Sequence, residues 1–162
     1  FYGLSKLRGE NKMLSYNLKN SVIIRTSWLY SEFKNNFVSK IISKSMRDEM
    51  IFVTNKEFGT PTNSTDLANN VLKLINDFKF SKTEIYHFSN SGLCSRYEFA
   101  FEINRLINSK AKIFPKNEDN ACSIRPLFSP LSSKKLTSDY NIKLKTWQES
   151  LRKHINNYKN VF

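Results

Sequence analysis

The sequence predicts an α/β fold, because helical patterns alternate with short apolar runs along its 162 residues. The continuous apolar run Val22-Ile23-Ile24 follows a helical pattern, which is the order expected in half of a βαβ unit. Hydrophobic residues make up 40% of the chain and charged residues 25%, as in globular proteins. No apolar stretch approaches the ~20 residues that cross a bilayer, so we expect no membrane partner.

The first half of the chain begins with a helix over residues 3–19, in which leucines keep a near-heptad spacing. Val22-Ile23-Ile24 then predicts a strand that is buried on both faces, since strands of parallel sheets read as continuous apolar runs. A loop over 28–34 leads to a helix near 36–47 that directs apolar residues inward. Residues 51–53 form the next short strand.

The second half opens on the turn-rich segment 58–62, which predicts a loop. Thr62 or Asn63 can cap the following helix, which runs to about Asp77 with leucines and β-branched residues on its core face. The apolar and aromatic run at 85–88 predicts another strand.

The last third contains a capping box, because Glu98 stands three residues after Ser95. The helix that follows carries large apolar residues at helical spacing. The remaining predicted elements are an edge strand at 111–114, a long irregular loop at 115–132 and short helices near 133–139 and 147–159.

The chain is strongly basic, with a net charge of +12 from 26 basic and 14 acidic residues. A nucleic-acid surface would explain this charge. However, the lysines are spread along the chain, and neither an aromatic-interleaved basic cluster nor a helix-turn-helix pattern is present. We therefore expect no nucleic-acid partner, and attraction of an anionic small molecule fits the charge equally well.

Cys94 and Cys122 are the two cysteines, and neither belongs to a C-x-x-C pair or has a histidine at ligand spacing. The sequence therefore predicts two free thiols and no zinc site. His87 lies within a predicted strand, and we interpret it as structural.

Tyr2 and Lys6 are candidates for acid–base chemistry, because four-residue spacing places both on one face of a helix. A phenol beside an ammonium group can donate a proton, since the cation stabilises the phenolate that remains. The lysine can also hydrogen-bond a ribose. The motif is short, and the alternative is a half-buried tyrosine beside a solvated lysine. The four glycines form neither G-x-G-x-x-G nor G-x-x-x-x-G-K, so the sequence predicts no phosphate-binding turn.

Further motifs follow Tyr2-Gly3-Leu4-Ser5-Lys6 in a fixed order. They are Arg25-Thr26-Ser27-Trp28-Leu29-Tyr30, Asn35-Asn36-Phe37, Phe58-Gly59-Thr60-Pro61-Thr62, Tyr86-His87-Phe88, Arg125-Pro126, Lys135-Leu136 and Trp147-Gln148-Glu149-Ser150-Leu151. In this order and at these distances they resemble the C-terminal part of the dTDP-4-dehydrorhamnose reductase family. That family belongs to the extended short-chain dehydrogenase/reductase superfamily, and the resemblance covers essentially the whole chain.

The resemblance implies the C-terminal part of a Rossmann-like parallel sheet plus a smaller α/β substrate-binding lobe. Residues 1–34 would be the remainder of the NAD(P)-binding domain, with the catalytic helix and the strand after it. Residues 35–162 would be mainly the substrate-binding lobe. The resemblance does not decide whether segments of this lobe return to the Rossmann sheet. The Gly-rich turn and a catalytic Ser or Thr would lie in a first part on the order of 100 residues long. We therefore expect the 162-residue chain alone to be inactive.

The implied activity is the reduction of dTDP-4-dehydro-L-rhamnose to dTDP-L-rhamnose with NADPH or NADH, in the cytoplasm. Tyr2 would be the general acid, and Lys6 would support it and hold the nicotinamide ribose. Thr26 and Ser27 would face the nicotinamide. A homodimer is left open. The alternatives are an epimerase or dehydratase of another nucleotide-sugar, and a non-catalytic, reductase-like binding subunit.

The resemblance also assigns the nucleotide-sugar contacts, which are Trp28, Asn36, Phe58, Gly59, Thr60 and Arg125. The planar guanidinium fork of Arg125 suits a diphosphate. The alternatives are core packing for the tryptophan, a simple turn for 58–60 and a surface position for the arginine. Some family members hold a divalent ion with acidic residues. Glu149 matches one such position, but Thr65 stands where those members have an acid, so the sequence predicts neither a metal site nor bound Mg²⁺.

Overall fold

The computed structural model describes residues 1–33, 35–77, 80–116 and 126–159. Its helices are α1 (Tyr2–Ser15), α2 (Phe37–Ser45), α3 (Ser64–Asn76), α4 (Arg96–Leu106), α5 (Lys134–Tyr140) and α6 (Trp147–Lys159). Its strands are β1 (Val22–Arg25), β2 (Leu29–Tyr30), β3 (Met50–Thr54), β4 (Phe58–Gly59), β5 (Thr62–Asn63), β6 (Glu84–His87), β7 (Cys94–Ser95), β8 (Lys112–Lys116) and β9 (Phe128–Ser129). Within these residues, no helix is long and apolar enough to cross a membrane.

The described strands form small sheets in which parallel pairing dominates, which confirms the α/β class. Strand β1 pairs with β6, β3 with β8 and β2 with β5, all in parallel. Strand β4 lies between β7, which is antiparallel to it, and β9, which is parallel. In each parallel pair, the chain returns to the sheet after a helical segment, as the alternating pattern predicts.

Helix α1 is shorter than the prediction of 3–19, since it ends at Ser15. The reason is local, because Asn17 and Asn20 both have positive φ and asparagine tolerates this left-handed conformation. None of the residues of α1 is buried. Leu4 and Leu7 are about half exposed, so the apolar stripe of this helix is uncovered in the described part of the chain.

Strand β1 is parallel, as predicted, but it is not buried on both faces. Val22, Ile23 and Ile24 are only partly buried, and Arg25 is exposed. Among the described strands β1 has a neighbour on one side alone, and that neighbour is β6. A strand at the edge of a two-stranded sheet cannot be enclosed in the way that a central strand is.

The loops predicted at 28–34 and 58–62 contain short strands. Leu29–Tyr30 pairs with Thr62–Asn63, and Phe58–Gly59 pairs on both of its sides. Two-residue strands are too short to show the alternating pattern that is typical of a strand. The turn-forming residues in these segments therefore led to the prediction of loops. The backbone N–H of Thr62 also donates to the carbonyl of Trp28 at 3.2 Å.

The helix caps follow the sequence closely. Asn63, and not the alternative Thr62, caps α3, since its side-chain oxygen accepts from the backbone N–H groups of Thr65 and Asp66. The capping box of α4 is confirmed, because the N–H of Ser95 donates to Glu98 at 2.6 Å and the N–H of Glu98 donates back at 3.0 Å.

The apolar core has two parts. The larger one lies where α2, α4 and α6 cover β3 and β8, and its most buried members are Val38, Phe99, Ala100, Ile103, Leu151 and Ile155. The smaller one contains Leu74, Tyr86, Phe88, Leu136 and Ile142 and lies between β6, α3 and α5. Cys94 is buried with a free thiol in the larger part, and burial raises its pKa to about 12. Cys122 lies outside the described residues.

A buried polar network joins three distant segments around Asp66. Its carboxylate accepts hydrogen bonds from Ser150 at 2.5 Å, from Asn90 at 3.0 Å and from Lys145 at 2.6 Å. Burial raises the pKa of Asp66, but these hydrogen bonds outweigh it and hold the pKa below its usual value. The side-chain oxygen of Asn90 in turn accepts from the backbone N–H of Asn63 at 2.8 Å. The network therefore fixes the start of α3 to α6 and to the segment after β6.

His154 is a buried histidine whose surroundings disfavour the charged form of its imidazole. It is 2% exposed, its Nδ1 lies 3.2 Å from Glu32, and its ring contacts Tyr30 edge-on at 5.0 Å. Burial lowers the pKa of His154 below its ordinary value of 6.5, and the charge of Glu32 offsets only part of that effect.

We expect the free energy of unfolding to fall as the pH is lowered through 6.5, the ordinary pKa of histidine, because the unfolded chain then binds more protons at this residue than the folded chain. Urea unfolding at several pH values measures this slope, and His154→Gln should flatten it. A variant with the wild-type slope would assign the pH dependence to other groups.

Candidate functional site

Tyr2 and Lys6 form an exposed pair on the first turns of α1. The Nζ atom of Lys6 lies 5.2 Å from the centroid of the Tyr2 ring. Tyr2 is 75% exposed, so it is not the half-buried tyrosine of the alternative interpretation. The helix therefore presents a phenol and an ammonium group side by side, where a ligand can reach both.

The pair lies beyond the carboxyl end of β1. Glu10 of α1 accepts two hydrogen bonds from Arg25, the last residue of β1, at 2.6 and 2.9 Å. Six residues, 16–21, join the end of α1 to the start of β1, and Glu10 lies beside the last residue of β1, so α1 runs antiparallel to β1. A rise of about 1.5 Å per residue then places Tyr2 about 12 Å farther along, past the end of the strand. The carboxyl ends of parallel strands are where α/β proteins bind ligands.

Ser27 and Thr60 meet at this same edge, although 33 residues separate them. The hydroxyl of Ser27 donates to the carbonyl of Thr60 at 2.8 Å and lies 3.0 Å from its hydroxyl. Thr26 is exposed beside them. The structure thus brings together one residue predicted to face a cofactor and one predicted to contact a substrate.

Trp28 follows directly, in a strained conformation. Its φ is +46°, a region that bulky residues adopt at a cost of about 1–3 kcal/mol unless their surroundings impose it. The side chain is half-buried and packs against the larger core, where its ring lies 6.5 Å from Phe99. Core packing is therefore part of its role. Gly59 lies against the indole so closely that a Cβ there would sit 2.5 Å from Cε2 of Trp28.

Arg96 and Glu57 complete this arrangement, and neither was predicted as a site residue from the sequence. The guanidinium of Arg96 lies 3.6 Å from the centroid of the Trp28 ring and 4.9 Å from that of Phe37. Its Nε is 3.3 Å from the carboxylate of Glu57, and both side chains are largely buried. An arginine at the start of a helix gives no sequence signal for such a contact, because only the fold brings it to Trp28.

The remaining predicted site residues are Phe58, Asn36 and Arg125. Phe58 lies in β4 and is about one-third exposed. The side chain of Asn36 caps α2 and also donates to the carbonyl of Ser31 at 2.7 Å, so it has a structural role. Arg125 lies outside the described residues. Substrate contacts by these residues stay predictions.

The positions compared with a metal site have local partners. The carboxylate of Glu149 accepts from the backbone N–H and the hydroxyl of Thr146, and these bonds lower its pKa. The N–H of Thr65 donates to the cap of α3. Nowhere in residues 1–33, 35–77, 80–116 and 126–159 do three acidic, histidine or cysteine side chains come together as metal ligands would.

A cavity of about 260 Å³ opens beside Thr60, next to the segment that follows β6. Its polar lining consists of Thr60, Ser89, Asn90, Ser91, Ser133, Lys134 and Thr137. Hydroxyl and amide groups of this kind suit a sugar, which offers many hydrogen-bonding groups. Residues 89–91 carry no motif that marks them as binding residues in the sequence. Their position directly after a predicted strand was the one signal that could have identified them.

Comparison with known proteins gives a consistent result. The family model described as RmlD substrate binding domain matches residues 1–160. The spore coat polysaccharide biosynthesis protein SpsK of Bacillus subtilis (strain 168) is 35% identical, over 95% of this chain and 53% of its own length. A dTDP-4-dehydrorhamnose reductase of Sinorhizobium fredii is 32% identical, over 94% of this chain and 54% of its own length. The chain spans about half the length of the curated relatives that it matches.

Solved structures agree with the sequence relatives. A dTDP-4-dehydrorhamnose reductase ortholog of Clostridium acetobutylicum superimposes with a TM-score of 0.87 at 36% identity, over 98% of this chain and 55% of its own. The reductase of Bacillus anthracis, described in complex with NADP, superimposes with a TM-score of 0.86 at 33% identity, over 96% of this chain and 54% of its own. The collinear motifs, the fold and the family model all lead to one conclusion, which is that this chain belongs to the RmlD substrate binding domain family.

Proposed function

We propose that this chain carries the acid–base pair and the substrate site of a reductase that converts dTDP-4-dehydro-L-rhamnose to dTDP-L-rhamnose with NADPH or NADH. The observation that carries the proposal is the contact between Tyr2 and Lys6 beyond the carboxyl edge where Ser27 meets Thr60. Relatives named dTDP-4-dehydrorhamnose reductase support it, and so does the NADP that one solved relative contains.

The chemistry follows from what these side chains can donate. When bound, a reduced nicotinamide supplies the hydride that turns a ketone into an alkoxide. Tyr2 would donate its phenolic proton to that developing oxygen, which gives the alcohol. The ammonium group of Lys6 stabilises the phenolate that is left and can hydrogen-bond the nicotinamide ribose. Thr26 and Ser27 provide hydroxyl groups at the edge that would face the nicotinamide.

The residues present fit one end of a dinucleotide better than the other. The phenol, the ammonium group and the hydroxyl groups suit a ribose and a nicotinamide. By contrast, the four glycines of the chain form no phosphate-binding turn, and a pyrophosphate normally requires such a turn at a helix N-terminus. We therefore propose that this chain holds the reacting end of the cofactor.

The substrate would lie between this edge and the cavity beside Thr60. Trp28, Phe58 and Gly59 border the edge, and the hydroxyl and amide lining of the cavity suits the sugar. Contacts from Asn36 and from Arg125 to the nucleotide-sugar belong to the same proposal. The net charge of +12 favours an anionic substrate in general terms.

A division of the chain is part of the proposal. Residues 1–34 would belong to the cofactor-binding domain, and 35–162 would be mainly the substrate-binding lobe. The pairing of β6 with β1 supports a segment of the later part returning to the sheet of the first. A homodimer and a cytoplasmic location stay predictions.

Oxidation of NADPH by the full-length protein, followed by its ultraviolet absorbance with dTDP-4-dehydrorhamnose as substrate, tests the function directly. We expect turnover with this ketone and none with dTDP-glucose, which has no ketone to reduce. The 162-residue chain alone should give no turnover. Isomerisation of a nucleotide-sugar without net loss of NADPH would favour an epimerase instead, and binding without any turnover would favour a binding subunit.

A further inference from the structure

Trp28 occupies a backbone conformation that it would not adopt by itself. Its φ of +46° belongs to the left-handed region, which tryptophan rarely enters because its Cβ then crowds the backbone. Such conformations persist where neighbouring groups over-determine them, and they cluster at ligand sites. The contacts of its indole therefore indicate what holds it.

Contacts from two separate segments hold the indole. The guanidinium of Arg96 lies 3.6 Å from the ring centroid, which is the distance of direct stacking. Gly59 lies against Cε2, Cζ2 and Nε1 of the ring, with no room for a Cβ. Residue 59 is in β4 and residue 96 begins α4, so the two contacts come from different elements.

Arg96 is itself held in place. Its Nε is 3.3 Å from the carboxylate of Glu57, and its backbone N–H donates to the carbonyl of Glu57 at 3.0 Å. The side chain of Arg96 is 13% exposed and that of Glu57 is 14% exposed, so water screens this ion pair little. Phe37 supports the guanidinium from 4.9 Å.

The position of Trp28 affects the ligand-binding edge directly. Ser27, its neighbour in the chain, makes the hydroxyl contact with Thr60. The carbonyl of Trp28 accepts from the N–H of Thr62, on the other side of the same segment. Displacement of the indole would therefore move Ser27 relative to Thr60, next to the cavity that Thr60 lines.

We propose that Arg96 is a positioning residue, and that the Arg96–Glu57 pair clamps the Trp28 indole against Gly59 and thereby fixes the Ser27–Thr60 edge for ligand binding. A charge alone would not do this, because stacking on an indole uses the flat face of a guanidinium. The inference deepens the proposed function, and it rests on that function only for the choice of the ligand used as a probe.

The clamp is tested in the full-length protein by NMR of the indole N–H groups of its tryptophans. The Trp28 signal is assigned with Trp28→Phe, and the signal of Trp147 serves as an internal reference for the fold. We expect Arg96→Ala and Arg96→Lys to shift or broaden the Trp28 signal and to leave that of Trp147 unchanged. The matched control is Arg105→Ala, since Arg105 lies on the same helix and pairs with Glu102 at 2.7 Å on its exposed surface.

Titration with dTDP gives a second readout. We expect Arg96→Ala to weaken binding on the order of tenfold, because the ligand would then have to order the Trp28 segment as it binds, with Arg96→Lys close to it and the Arg105→Ala control unchanged. If Arg96→Ala does not fold, Glu57→Gln should move the Trp28 signal in the same selective way. An unchanged Trp28 signal in the Arg96 variants, or wild-type behaviour of Arg96→Lys, would overturn the proposal. Failure of the wild-type protein to bind dTDP would count against the proposed function, while the NMR result still decides the clamp.

Discussion

Tyr2→Phe should lower the kcat of the full-length protein by about 10²–10⁴-fold, the usual contribution of a positioned general acid. The substitution removes the hydroxyl that would protonate the alkoxide and keeps the ring that contacts Lys6. KM for the nucleotide-sugar should change little, because the proton transfer contributes to the transition state and not to ground-state binding. Steady-state rates over a range of substrate concentrations separate the two constants.

The same helix offers a matched control. Tyr16 directly follows the last residue of α1, and Lys12 lies 5.1 Å from its ring centroid, so this pair has the spacing and the contact of Tyr2 and Lys6, in reverse order, at the opposite end of the helix. Tyr16→Phe should leave kcat unchanged, because that end lies away from the carboxyl edge of β1. Near-normal turnover by Tyr2→Phe, or an equal loss in Tyr16→Phe, would remove Tyr2 from the role of general acid.

Gly59→Ala should destabilise the folded chain by about 1–3 kcal/mol, the typical cost of forcing extra volume into a packed contact. The new methyl group would lie 2.5 Å from Cε2 of Trp28, and the indole cannot easily move because Arg96 stacks on it at 3.6 Å. Urea unfolding, with the midpoint and the slope compared with those of the wild type, measures the loss.

Gly9→Ala is the control for this prediction. Gly9 is exposed within α1, and a Cβ built there has no neighbour within 4 Å. Alanine in place of a helical glycine stabilises by about 0.8–1 kcal/mol, so the two substitutions should have opposite signs. A Gly59→Ala variant as stable as the wild type would mean that Trp28 is free to move away.

Much of the architecture could be predicted from the sequence, because the signals for it are local. Two helix starts could be predicted from residues whose side chains cap them, which are Asn63, Ser95 and Glu98. The structure has those caps. Val22-Ile23-Ile24 was correctly predicted as a parallel strand. The burial of this strand on both faces was wrongly predicted, since burial depends on which strands lie beside it. The two-residue strands could not be predicted, because their formation depends on pairing with segments far along the chain.

The candidate site likewise has contacts that the sequence predicts and contacts that it does not. The spacing of Tyr2 and Lys6 predicts their contact, since residues four positions apart lie on the same face of a helix. The pairing of Ser27 with Thr60 and the stacking of Arg96 on Trp28 join segments that approach each other only in the folded chain. No composition, period or short motif encodes such contacts, so the sequence identified several of the residues without their arrangement.

The register of the parallel pairs also bears on how fast the chain folds. Val22 aligns with Glu84 and Met50 with Lys112, so each of these pairs joins residues 62 positions apart. Closing such long loops costs chain entropy before any contact offsets it, and topologies of this kind fold slowly. Until the pairs close, the edges of β1 and β3 stay open to other chains. We therefore expect refolding from urea to be slow and its yield to fall as the protein concentration rises.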